Sequence, residues 1–338
     1  MAIPIIAGAI AAGTAAVGGS KLVKGALNTH EAKQVQSNAE DIIESAKKSM
    51  EKSKRICTQA IEDLGKTKLT LASGSMNDFV TLFSLIKNVQ INESKGLDEL
   101  SKIKTDDITF EEMQKTVLAA TDIVGSGIAG VGAGALLSWG TYGGVMALGT
   151  ASTGTAIGTL SGAAATNATL AWLGGGALAA GGGGMALGTI VLGGLLAGPA
   201  LLVAGGLFGA KANTNLNNAY SNLDVAKKIA KEIDVAKAQV NGITEHARIL
   251  KEIIEKMNSM VRLGNIDLKL VIKEAGIDWL QYSEPQKKEV AKAMKIAQLA
   301  KAIIDTPMLT EDGVLTEDIR IIAIKKNTYI DMNLNDFQ

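Results

Sequence analysis

Residues 219–261 read AYSNLDVAKKIAKEIDVAKAQVNGITEHARILKEIIEKMNSMV. Ala219, Leu223, Ala226, Ala230 and Ile233, then Ala236, Val240, Ile243, Ala247, Leu250, Ile254, Met257 and Val261, recur in steps of four and three, with one shortened step between Ile233 and Ala236. That spacing gathers small and apolar side chains on one seam of a long helix, and about six heptads of it predict coiled-coil packing. The seam is rich in alanine, so the helix should approach its partner closely. The partner is expected in the same chain, over 31–64, where Val35, Ala39, Ile42, Ala46, Ser49, Ser53 and, after a slip, Cys57, Ala60 and Leu64 define a second face. Asn28 or Thr29 is placed to cap its start.

Between these charged helices the composition changes abruptly. The 338 residues carry 34 basic and 34 acidic side chains, yet 88 consecutive residues, 123–210, contain none of either sign and hold 26 of the 38 glycines. A neutral chain lacks the domain-wide positive field that attracts phosphate backbones, so no nucleic-acid partner is expected. Within the block, glycines recur at helical spacing, including Gly130 with Gly134, Gly154 with Gly158 and Gly162, Gly184 with Gly188, and Gly205 with Gly209. Such pairs share one side of a helix and let two backbones come close, which is how apolar helices associate in lipid. In water each helical glycine costs about 1 kcal/mol relative to alanine, so these helices need extensive burial or a bilayer that enforces internal hydrogen bonding. Helices are expected near 117–138, 141–161, 166–180 and 185–210. Trp139, Tyr142 and Trp172 have two readings, rings at interfacial depth or ordinary packing, and Asn167 either bonds across helices or caps the one containing Trp172.

Chemistry-bearing motifs are few. Gly125, Gly127 and Gly130 spell a dinucleotide fingerprint, but no acidic residue follows at the required distance and no strand–helix alternation supports it. The single cysteine, Cys57, sits on the apolar edge of its helix and reads as a structural thiol. His30 and His246 are too few for a zinc cluster and lie far apart in sequence. No catalytic residue, metal ligand or cofactor is expected, nor is enzymatic activity. Glu44 with Lys48 and Glu51 with Arg55 are spaced for ion pairs along a helix.

The flanks complete the plan. The uncharged segment through Gly19 reads either as a membrane contact or as a buried or docked helix, and it lacks the basic start of a secretory signal. Gly74 is placed to bend the apolar run 66–90. Thr109 and Glu112 predict a capping box opening a helix near Phe110. After Gly264 come a helix near 266–275, a turn around Pro285, an alanine-rich helix to about Ile304, and an Ile-rich tail that reads equally as strand or docking helix. The expected domains are an apolar N-terminal segment (1–25), a helical arm region (26–116), a glycine-rich membrane-insertion region (117–210), a long coiled-coil helix (211–262) and a small accessory domain (263–338).

The run Ala164-Ala165-Thr166-Asn167-Ala168-Thr169-Leu170-Ala171-Trp172-Leu173-Gly174-Gly175-Gly176, followed by 178–185, resembles a segment of bacterial glycine-rich proteins with coiled-coil arms. The layout over about 26–262 also resembles apolipoprotein L-like proteins and helical pore-forming toxins. Together with the residue patterns it gives the expectation of an all-α fold in which long amphipathic coiled-coil arms flank a glycine-rich apolar helical hairpin region, with a small C-terminal domain. The resemblance implies a membrane-active protein that is compact before insertion, and with the glycine pattern the expectation is a membrane-inserting, pore-forming effector or toxin. The lack of an export signal argues for a cytoplasmic start before membrane association, or a specialised delivery route. Lipid membrane, further copies of the chain and a regulatory protein are the expected partners. The competing expectation is a structural or scaffolding helical protein whose apolar hairpins stay buried against its own arms.

Overall fold

The computed structural model describes residues 19–89, 108–125, 127–132, 135–137, 139–141, 216–309 and 315–333. Seven α-helices carry the described fold: α1 (Gly19–Leu71), α2 (Asn77–Phe83), α3 (Phe110–Val124), α4 (Leu216–Ala275), α5 (Glu284–Asp305), α6 (Glu317–Ile324) and α7 (Lys326–Asp331). Among the described residues there is no strand, only two isolated bridges, Lys87 to Asp278 and Leu309 to Leu315. The chain divides into two compact units, Met1–Ser49 with Pro199–Asp234, and Met50–Gly198 with Val235–Gln338.

In the first unit α1 and α4 run side by side in the same direction. Tyr220 donates to Glu31 at 2.8 Å, and Asn222 donates to Gln36 at 2.9 Å. The same parallel order holds within the second unit, where Cys57 bonds with Thr244, and Ser75 bonds with Asn258 at 2.6 Å and Asn265 at 2.8 Å. His30 lies in the first unit and His246 in the second.

The seams are more regular than the sequence periodicity implies. On α4, Ala219, Ala226, Ile233, Val240, Ala247, Ile254, Val261 and Leu268 are all buried at steps of seven. Ile229 is buried rather than Ala230, so no shortened step occurs after Ile233. On α1, Ile43 and Met50 are buried where Ile42 and Ser49 are expected, and the slip before Cys57 disappears. The helix α4 also continues through Gly264, which faces Ala293 on α5, where a Cβ would make an ordinary contact at 3.6 Å.

Local chemistry sets the helix ends in the second unit. Gly74 lies in a π-helical turn, Ala72–Met76, and the Ser75 carbonyl accepts a hydrogen bond from buried Asn265. Thr109 and Glu112 form the expected capping box of α3, and Ser283 with Gln286 forms another at α5, where Pro285 occupies the first turn. Gly276, at φ 78°, closes α4 by donating to the Ile272 carbonyl. Phe79, Phe83 and Phe110 pack at centroid distances of 5.0–6.5 Å, joining α2 to α3. Glu44 pairs with Lys48 as expected, whereas Glu51 takes Lys54 instead of Arg55. The Ile-rich tail forms the helices α6 and α7.

These observations correct the expected fold of an apolar membrane-spanning hairpin held between arms. Among the described residues no helix is long and apolar enough to cross a membrane. The helix expected over 117–138 instead ends at Val124, after 15 residues that include Glu111, Glu112, Lys115 and Asp122. Gly125 and Gly127 stop it, the latter at φ 94°, and a short 3-10 turn, Ile128–Gly130, follows. The helices expected over 141–161, 166–180 and 185–210 lie outside the described residues, except for Thr141. The pore-forming reading, and with it the transmembrane-helix and toxin assignments, loses its structural basis; what remains is a described fold of amphipathic helices.

Candidate functional site

The described part of the uncharged block ends in a junction with the second half of α1. Helical residues 135–137 and 139–141 lie so near that helix that backbone meets backbone. A Cβ added to Gly65 would fall 1.8 Å from the Leu136 carbonyl oxygen, and one added to Gly140 would fall 2.2 Å from the Ile61 carbonyl oxygen. Each glycine is thus the recess that admits the other segment. No side chain fits, because the obstructing atoms belong to the main chain. Trp139, one of the rings with two readings, is fully buried at 0 % exposure, as are its neighbours Ala135 and Thr141 within about one per cent.

The C-terminal helices close the junction from another direction. The Thr141 carbonyl accepts a hydrogen bond from the Met308 amide at 2.6 Å. One turn beyond Gly65 on α1, Lys68 is completely buried, and its Nζ donates to the Thr306 carbonyl at 3.4 Å. Burial pulls the Lys68 ammonium down from an ordinary 10.5 to about 7, with the Asp305 carboxylate opposing part of that fall. Asp305 in turn is pushed up, first by burial, against the pull of Lys301, its ion-pair partner, and of Lys68. Glu112 on α3 adds a further upward push. Asp305 Oδ1 and Thr116 Oγ1 are buried without a hydrogen-bond partner among the described residues.

The arrangement therefore joins α1, the start of the uncharged block, α3 and the end of α5 around a buried lysine. Among the described residues no group of His, Cys, Asp and Glu is placed to hold a metal ion. Elsewhere, an open groove of about 430 Å³ between α1 and α4 is lined by Arg55, Gln59, Asp63, Arg248 and Lys251, with Gln59 donating to Asp63 at 3.0 Å. Cys57 is buried, and burial pushes its thiol up against a smaller opposing effect from the Thr244 hydrogen bond, so it is a poor nucleophile.

Of the glycines expected to pack helices, Gly130 ends the short 3-10 turn. Gly134, Gly154, Gly158, Gly162, Gly184, Gly188, Gly205 and Gly209 lie outside the described residues, as do Tyr142, Asn167 and Trp172. Sequence periodicity missed Gly65 and Lys68. The signal for Lys68 was present, since it follows Ile61 by seven and Leu64 by four, placing a lysine in line with a buried stripe. No family model, curated protein or solved structure matches the chain.

Proposed function

We propose that this chain is a structural or scaffolding helical protein, in which α1 holds the described start of the glycine-rich block, residues 135–137 and 139–141, against its own surface. The reciprocal recess of Gly65 against Leu136 and Gly140 against Ile61 carries the reading. Close backbone packing of this kind needs a partner of fixed position, and here the partner is the chain's own helix. Complete burial of Trp139 supports it further, because a ring held ready for an interface would keep an exposed edge. The charge pattern fits as well: most carboxylates and lysines of α1 and α4 lie on outer faces, with Lys68 the buried exception, and the seam between the helices is largely small and apolar around the Asn222–Gln36 pair.

The test combines packing with lipid exposure. The full chain, mixed with neutral and anionic liposomes, should neither float with them nor release an entrapped dye. Gly140→Leu should lower the melting temperature by several degrees, because the added side chain pushes the block away from α1. Saturable flotation with leakage by the unmodified chain would overturn the scaffold reading, and so would an unchanged melting curve for Gly140→Leu.

A further inference from the structure

Over its last third α4 is apolar on two opposite sides. One side, with Val261, Gly264, Leu268 and Val271, is buried in the second unit. The opposite side exposes Leu263 at 48 %, Ile266 at 60 % and Leu270 at 51 %. Their steps of three and four are those of a coiled-coil seam, and among the described residues no helix is seated on it. Taking Leu263 as position a, Ile266 falls at d and Leu270 at the next a. Arg262 and Lys269 then take both g positions, and Asp267 and Glu274 both e positions. Cations therefore line one edge of the stripe and carboxylates the other.

We infer that this stripe is a homodimer interface, on which α4 of a second copy packs parallel and in register. The stripe is confined to about one turn on either side of Ile266, since the next d position is Lys273, and over that length the g and e charges select the direction. In a parallel pair, a g residue faces the e residue five positions later on the other helix. Arg262 then meets Asp267 of the second copy, Lys269 meets its Glu274, and two-fold symmetry repeats both pairs. Antiparallel packing of the same stripe sets g against g and e against e, bringing cation to cation and carboxylate to carboxylate. Asp267 is further suited to receive a cation, since Glu289 and Lys292 beside it leave the group one carboxylate in excess. Lys269 and Glu274 are both exposed.

This proposal gives the scaffold reading a partner and rests on it. The test is the mass of the full chain by light scattering and sedimentation over about 1–100 µM, with circular dichroism confirming each variant's fold. The unmodified chain should dimerise, and Ile266→Glu should be monomeric with its helicity kept. Lys269→Glu and Glu274→Lys should each weaken the dimer at least tenfold. The double variant should restore it, and an equimolar mixture of the two single variants should form heterodimers. Leu263→Cys should cross-link to itself under mild oxidation, as equivalent a positions do in a parallel pair. A monomer throughout the concentration range, a double variant no stronger than the singles, or absence of the cross-link would overturn the proposal. A monomeric chain that neither floats with liposomes nor loses its Gly140→Leu sensitivity would remove the dimer and leave the scaffold reading standing.

Discussion

Replacing Lys68 with methionine tests whether the junction of α1, the uncharged block and α5 is as dry as its geometry implies. Lys68 is 0 % exposed and its ammonium is pulled from 10.5 to about 7 by burial, against the opposing charge of Asp305. Between those values the unfolded chain holds a proton that the folded chain has released, so unfolding free energy rises with pH across the window. Below about pH 7 both states are protonated, and the folded state carries the full cost of the buried charge. That gap, at about 1.4 kcal/mol per pH unit, is worth roughly 5 kcal/mol, of which about 3 kcal/mol should develop between pH 6.5 and 9.5. Methionine fills much of the same volume and does not titrate. Urea unfolding of both proteins at several pH values is read at the alkaline end, where Cys57 and Tyr329, whose upward shifts oppose the lysine, are common to both; Asp305, which loses the pull of Lys68 in the variant, shifts further upward and acts from the acid side. The expected result is that Lys68→Met is relatively most stable at the acid end and loses its advantage by about 3 kcal/mol at the alkaline end. Parallel stability curves for the two proteins would refute the reasoning and show that Lys68 reaches water.

Two further perturbations address packing. Gly65→Ala should destabilise by about 1–3 kcal/mol, because its Cβ would lie 1.8 Å from a main-chain oxygen, whereas Gly242→Ala, with nothing within 4 Å, should stabilise by up to about 1 kcal/mol in the same chemical denaturation assay. Asn222→Leu should cost about 1 kcal/mol by stranding Gln36, and adding Gln36→Leu should recover that loss, giving a measurable coupling in a double-mutant cycle.

The same two residues explain where the sequence was legible and where it was not. Helix existence followed from periodicity, and the starts of α3 and α5 followed from Thr109 and Pro285, because capping is a local contract between neighbours. Register was misread in both long helices for one reason. Choosing the seam by apolarity selects Leu223 over Asn222 and Val35 over Gln36, and each choice forces a compensating slip further along. In the structure Asn222 and Gln36 bond to each other within the seam, so the heptads run on without interruption to Leu268 and Leu71. A polar layer of this kind is invisible to a hydrophobicity pattern yet is what fixes one register against its neighbours. The Gly65–Gly140 contact was hidden differently, since it is tertiary and joins residues 75 positions apart.

That distinction also explains why the glycine pattern led toward lipid. Closely spaced glycines report that two backbones approach, but not what surrounds them, and the same recess serves in a bilayer and beside a charged arm. The environment is decided by neighbouring side chains. At Gly65 the neighbours on α1 include Lys66, exposed, and Lys68, buried but tied to Thr306 and Asp305, so the surface that receives Leu136 and Gly140 carries ionic groups within one turn. A lipid-facing helix would strand those groups in hydrocarbon, whereas a protein junction supplies Thr306 as an acceptor and Asp305 as a counter-charge. The glycines give the distance of approach, and the lysine beside them is met by Thr306 and Asp305 of the same chain.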